Sequence, residues 1–213
     1  MFVLTTIPHG VCLSRLKRTC DLRALACAKI LIDILNKNNI PNSSIKSTMT
    51  RSIVDVNRKR PKRITQKIYQ QNEIAKQNEI AKQNEKAKQN EIAIKYWKTF
   101  NNRIMTKIVK TPHKILLLDI HSFPKGSFNG AQIVIIDIYK KSRIKLQNFI
   151  LFIRAKLNLD VRLYKGLDNQ IQNTYKKYTY PLLLEFCEDK THLPNDAVKL
   201  FFQEVLHYFS LDN

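Results

Sequence analysis

Paired cysteines, acidic residues and long apolar runs are all missing or scarce in this chain, and each shortage removes a class of function. The four cysteines (Cys12, Cys20, Cys27, Cys187) contain no Cys-x-x-Cys pair and no framework spacing. That excludes a disulfide scaffold and leaves free, buried thiols in a reducing compartment. No apolar stretch approaches the roughly 20 residues that cross a bilayer. The N-terminus lacks the basic region, apolar run and small-residue cleavage site of a signal peptide. A soluble, cytoplasmic protein with no membrane partner is expected. Its 213 residues suit one domain, residues 1–213, with a closed core. Asp and Glu number 17 against 37 Lys and Arg, a formal charge of +20. Such an excess fits a polyanion partner, and equally fits the Lys-, Asn- and Ile-rich composition of an AT-rich genome. Between Lys59 and Lys110 there are 14 basic residues and four glutamates, half of the whole excess. No nucleic-acid motif accompanies them, and aromatics are not interleaved with the basic residues.

What is present is an alternation of strand and helix patterns. Strands are expected at about 2–8, 51–56, 114–120, 132–138, 159–164 and 180–186, and helices at about 20–36, 62–109, 142–157 and 195–209. Alternation at these lengths predicts an α/β layered domain. The last helix is the clearest: Pro194-Asn195-Asp196 opens it, and Val198, Phe201, Phe202, Val205, Leu206 and Phe209 make one apolar face.

A hexapeptide repeat interrupts this plan. Gln71-Asn-Glu-Ile-Ala-Lys76 recurs at 77–82, then at 83–88 with Lys86 in place of Ile, and at 89–94 with Ile94 in place of Lys. Helix propensity is good, and pairs such as Glu73–Lys76 and Glu91–Lys95 fall at helical distances. Six residues advance a helix by about 600°, so Ile74, Ile80 and Ile92 point in three directions and form no coiled-coil seam. The expectation is a solvated, charged helical insertion at about 62–95, away from the chemistry. Tyr96, Trp97 and Phe100 mark where the helix rejoins the core.

Candidate functional residues gather at the ends of the strand patterns. Ile7-Pro-His9-Gly10 closes the first, His113-Lys-Ile-Leu-Leu-Leu-Asp-Ile-His121-Ser-Phe-Pro124 contains the most apolar one, and Tyr180-Pro-Leu-Leu-Leu-Glu185 ends in a carboxylate. Carboxyl ends of strands are where open α/β sheets build their sites. His9 and His121 are candidate neutral imidazole ligands to one zinc ion per chain, with Asp21 as the third ligand. Asp21 has an ordinary alternative as a helix N-cap, as does Thr19, and Cys12 is a weaker ligand candidate. Asp119 and Ser122 both stand within reach of His121 as hydrogen-bond partners. Glu185, a charge directly after three leucines, is the candidate general base. Asn57 and Arg58, at the end of Ser52-Ile-Val-Asp-Val, are a candidate clamp for a substrate carboxylate. Arg58 also opens the basic run Arg58-Lys59-Arg60-Pro61-Lys62-Arg63, and Asp55 is better placed as a supporting partner than as a ligand. No nucleophile elbow surrounds Ser122, and His113, His192 and His207 carry no assigned role.

Pro-His9-Gly, Asp21, Asp55-Val-Asn57-Arg58, Asp119-Ile-His121-Ser122-Phe-Pro124, Tyr164-Lys165-Gly166 and Leu-Leu-Glu185 occur in the order seen in N-formylglutamate amidohydrolases. The chain resembles that family along nearly its whole length outside the repeat, and Asp-x-Asn-Arg followed by Asp-x-His-Ser-x-Pro is the most specific part. The family is similar, distantly, to zinc carboxypeptidases. The resemblance implies a three-layer α/β/α sandwich with a mixed, mainly parallel sheet, and a zinc-dependent hydrolase of a small, anionic N-acylated amino acid. It implies His9, Asp21 and His121 as metal ligands, Glu185 as base, Asn57 and Arg58 as clamp, and Lys165 and Ser122 as further substrate contacts. Two other readings stand beside it. One is a metallopeptidase using the same site on peptides. The other is an eroded scaffold, poor in loop glycines, that contacts a polyanion such as nucleic acid through 59–110. Oligomeric state is left open by the sequence.

Overall fold

The computed structural model describes residues 1–9, 21, 23–49, 56, 73–137, 143–165 and 170–210. Six strands form one sheet: β1 (Phe2–Ile7), β2 (Asn42–Lys46), β3 (Ile115–Phe123), β4 (Ile133–Asp137), β5 (Val161–Lys165) and β6 (Tyr180–Cys187). Their order is β2-β1-β3-β6-β4-β5. The first four in that order run parallel, β4 is antiparallel to β6, and β5 is parallel to β4. The sheet is therefore mixed and mainly parallel.

Helices cover both faces. On one, α1 (Ala24–Lys37), α3 (Arg143–Leu157) and α5 (Asn195–Ser210) pack on Val3, Leu116, Leu118, Ile120, Leu182, Leu184 and Phe186. On the other, α2 (Glu73–Val109) and the short α4 (Gln170–Tyr175) pack on Leu4, Ile45, Ile115 and Leu117. Alternate residues of each strand thus feed opposite cores, as a two-residue side-chain period requires. All nine residues of β3 are buried, the mark of a central strand covered on both sides. This is the expected three-layer sandwich.

Local sequence explains most of the elements. Ala24, Cys27, Ala28, Leu31, Ile34 and Leu35 give α1 a buried stripe at three- and four-residue spacing. Asn39 ends that helix in a left-handed conformation (φ 54°), and the Ile40 N–H donates to the Leu35 carbonyl at 2.9 Å. α5 begins at Asn195 and buries the six apolar residues expected of it. The repeat is helical where described, as one continuous α2. Its described side chains from Asn84 to Ile92 are exposed or half-buried, whereas Ala93, Ile94, Phe100, Ile104 and Ile108 are buried. The core thus resumes at Ala93–Ile94, slightly before the aromatic cluster at Tyr96–Phe100 expected to mark it.

Three features depart from the sequence reading. The second strand is Asn42–Lys46; the expected strand at 51–56 lies outside the described residues except Val56, a buried turn residue. β3 runs on to Phe123, so His121 sits within the strand and pairs with Glu185 instead of following its end. The short helix α4 had no counterpart among the expected elements. Between β3 and β4 the chain turns through Gly126 (φ 87°), Phe128 (φ 52°), Asn129 (φ 55°) and Gly130 (φ 79°), a run of left-handed residues. Edge-to-face contacts of Phe128 with Phe123 and Tyr164 pin that turn down.

Candidate metal centre and active site

Sheet topology decides where the site lies. From β1 the chain goes to β2 on one side, then returns to place β3 on the other. The carboxyl ends of β1 and β3 therefore flank a topological switch point, where loops diverge and leave a crevice. His9 lies two residues past the end of β1, and His121 lies near the end of β3.

Asp21 reaches this crevice from the entrance to α1. Its N–H donates to the His9 carbonyl at 3.2 Å and its carbonyl accepts from the Ala24 N–H at 3.2 Å. The N-cap of α1 is Arg23, which makes no side-chain cap. The Asp21 carboxylate is turned instead to the imidazoles, with Oδ2 2.8 Å from His121 Nδ1 and 3.4 Å from His9 Nδ1. The two rings meet edge to face, centroids 4.9 Å apart. All three residues are buried, and one ligand atom from each lies within 4.8 Å of the others.

Behind them stands a supporting chain. Asp119, two residues before His121 on the same face of β3, is wholly buried and places Oδ2 3.3 Å from His121 Nε2. Thr6 Oγ1 donates to Asp119 Oδ1 at 2.7 Å. With Nε2–H held by Asp119, the His121 Nδ1 is the nitrogen directed at Asp21. Of the two partners weighed for His121, the structure uses Asp119.

Glu185 is the register partner of His121 on the parallel neighbour β6, so both side chains project from the same face. Burial pushes its carboxyl up to about 7, while His121 pulls it down and Asp21 and Asp119 push it further up. Asp21 is held well below the usual carboxylate range, because hydrogen bonds and charge from His121 and His9 outweigh the opposing effect of burial. His121 is raised well above the ordinary imidazole value: burial works against its charge, but Asp119 and Asp21 outweigh it. A buried carboxylate with two imidazoles thus demands a positive charge, from a proton or a cation. One carboxylate oxygen and two imidazole nitrogens, backed by an acceptor on the far nitrogen, are the donor set of a zinc site with an open position. The residues fit that ion.

The remaining candidates fall elsewhere. Asn57 and Arg58 lie outside the described residues, as do Asp55, Cys12 and Thr19. Ser122 projects from the opposite face to His121; its Oγ accepts from the Arg23 N–H at 3.0 Å and donates to Glu188 Oε1 at 3.1 Å. Lys165 is exposed and is not brought to the cluster. Ile136 pairs with both Leu183 and Tyr164, so Lys165 lies beyond Leu183 toward the start of β6. That is roughly 10 Å along the sheet from Glu185, and two strands across. Arg23 is the residue that the sequence reading missed. Its guanidinium donates to the Cys187 carbonyl at 2.8 Å and to Asn195 Oδ1 at 2.9 Å, and with its N–H on Ser122 it fastens the Asp21 segment to β3, β6 and α5. Only its place beside Asp21 pointed to it.

Fold and site together define an α/β/α protein with a His–Asp–His cluster and an adjacent half-buried glutamate at the carboxyl ends of its central parallel strands. No family model matches the sequence, and no curated protein matches it. Among solved structures it is similar to gene product Atu2144 from Agrobacterium tumefaciens, at 15% identity over 100% of this chain and 92% of that one, with a TM-score of 0.61. It is also similar to N-formylglutamate amidohydrolase from Ralstonia eutropha JMP134, at 12% identity over 97% and 90% of the two chains, with a TM-score of 0.52. At these identities the likeness is one of fold, and it agrees with the resemblance carried by the motifs.

Proposed function

We propose that this chain is a metal-dependent hydrolase that cleaves the amide of a small, anionic N-acylated amino acid, with N-formylglutamate as the type of substrate. The observation that carries this reading is the convergence of His9, Asp21 and His121 on one point, with Glu185 on the adjoining strand. His9, Asp21 and His121 would hold one zinc ion, which when bound supplies Lewis acidity toward a carbonyl oxygen and toward water. Asp119 keeps the His121 proton on Nε2, and Thr6 keeps Asp119 in place. Glu185, near neutrality in its burial, takes the proton of the attacking water and returns it to the nitrogen as the carbon–nitrogen bond breaks. Asn57 and Arg58, one and two residues beyond buried Val56, are the clamp for the substrate carboxylate. Formyl- and acetyl-glutamate offer this clamp a side-chain carboxylate beside the α-carboxylate; an acylated amino acid with a neutral side chain offers the α-carboxylate alone.

The test combines elemental analysis with a panel of formyl- and acetyl-amino acids. About one zinc per chain is expected. Glu185→Gln should keep the metal and lose at least about 10³-fold in turnover, as general acid–base catalysis contributes 10²–10⁴-fold. Replacing both His9 and His121 by Ala should abolish metal and turnover together. Normal turnover in that double variant, loaded with zinc, would sink the proposal.

A further inference from the structure

The fold sorts the charge of this chain in a way the sequence alone does not show. In the α2/α4 layer and its edge strand β2, Lys46, Lys95, Lys98, Arg103, Lys107, Lys110, Lys114 and Lys177 are exposed and Lys176 is half-buried. No Asp or Glu occurs from Ile92 to Leu118, from Gln170 to Leu184, or in Asn42–Met49. The opposite layer is mixed: Asp33 accompanies Lys29 and Lys37 on α1, and Asp196 and Glu204 accompany Lys199 on α5. Of the four basic residues of α3 (Arg143, Lys145, Arg154, Lys156), Arg154 is paired with Asp160 and Lys156 with Glu204, the latter at 2.8 Å. An even compositional bias would load both layers alike, so the asymmetry belongs to one surface.

The geometry of α2 focuses that charge. Ala93, Ile94, Phe100, Ile104 and Ile108 point into the core. At about 100° per residue, Lys95, Lys98 and Arg103 fall on the opposite, solvent-facing half of the helix, with Lys110 just past its end on the same side and exposed Lys107 on its flank. They span about 22 Å from end to end, the length of about six phosphates along one nucleic-acid strand. Between them lie Thr99, Asn102 and Thr106, all exposed. Ile92 and Val109 are the large apolar side chains exposed on this stretch, at its two ends, so the face lacks the apolar stripe by which a helix settles into a lipid surface. Lys176 and Lys177 widen the basic surface sideways. They follow α4, which the Tyr175 hydroxyl ties to the Asn101 carbonyl of α2 at 2.9 Å.

We propose that the outer face of α2, residues 95–110, is a sequence-independent nucleic-acid binding surface that contacts backbone phosphates. This role stands apart from the amide chemistry, and neither needs the other. The test is fluorescence anisotropy of the full chain with a labelled duplex of mixed sequence, about 25 base pairs long, titrated between about 50 and 200 mM salt. With five phosphate contacts, the slope of log K against log salt is about −4 to −5. Lys98→Glu/Arg103→Glu/Lys107→Glu should bind at least about tenfold more weakly, with a slope shallower by about 2 to 3. Lys29→Glu/Lys190→Glu/Lys199→Glu makes the same change of net charge away from this layer and should bind within about twofold of the parent. Circular dichroism checks that both variants fold, and Arg103→Gln, expected to reduce the slope by about 1, serves in place of the first should it not. Equal losses in the two triple variants, absence of duplex binding at the lowest salt, or binding of anionic phospholipid vesicles without binding of the duplex would each overturn the proposal.

Discussion

At the scale of single residues, Glu185 is a carboxyl whose pKa the fold raises, and its linkage to stability has a definite sign. Unfolded, its carboxyl ionises near 4.5; folded, burial holds it protonated up to about 7. Below pH 4.5 both states carry the proton and nothing changes. As pH rises from 4.5 through 7 the unfolded state loses its proton first, so the folded state loses stability, by about 3 kcal/mol once both are ionised. In chelator, Glu185→Gln should gain on the parent by up to that amount between pH 5 and 8, read from urea unfolding at each pH. A difference that stays flat with pH would show that burial does not govern this carboxyl. The same residue shows what a sequence discloses at this scale. A charge after Leu182-Leu183-Leu184 announces a purpose, and His9, Asp21 and His121 announce themselves as ligand types near strand ends. The fastening role of Arg23 is silent, because its guanidinium partners are one backbone carbonyl, that of Cys187, and an Asn 172 residues away.

Elements were legible in proportion to their amphipathicity. α1, α5 and β3 carry apolar patterns that leave little choice of period, and all three form. β2 is Asn-Ser-Ser-Ile-Lys, an edge strand with one buried residue, Ile45. Its strand character comes from backbone pairing with β1, which no side-chain pattern records. β3 outran its apolar stretch for a related reason: His121 and Ser122 are polar, yet their backbone pairs with Glu185 and Phe186. The long α2 divides into two energetic halves. Its described side chains up to Ile92 face solvent or are half-buried, so deletion of two repeats, residues 77–88, should shift the unfolding free energy by no more than about 1 kcal/mol, the usual range of changes outside the core. Phe100→Ala, by contrast, removes a 4%-exposed ring from the core beneath α2 and should cost about 3–5 kcal/mol. Both are measured by urea denaturation of otherwise intact protein. If the deletion costs as much as the ring, the repeat carries part of the core after all.

For the molecule as a whole, the site links halves of the chain that the sequence separates widely. His121 is 100 residues from Asp21 and 64 from Glu185, and only strand order brings them together; the motifs showed the donors, but the switch point between β1 and β3 supplies the convergence. The order itself was not written in the pattern, because a parallel crossover fixes the hand of a connection and not which neighbour a strand chooses. A cation at that point would tie β1, β3 and the entrance to α1 together, so binding should be readable as global stability. An ion that binds the folded state alone contributes about 2.7 kcal/mol at 100 times its dissociation constant. In a domain of this size that corresponds to a rise in melting temperature of about 5–10 °C. Zinc added to chelator-stripped protein should produce such a rise, and EDTA should reverse it. Asp21→Asn keeps the shape but removes the negative charge that the two imidazoles face, and should leave most of the shift unrealised. The Glu185→Gln protein should retain the full rise, because Glu185 is placed to handle protons and not to hold the ion. A zinc-induced rise of equal size in Asp21→Asn would mean that the ion is held somewhere other than between His9 and His121.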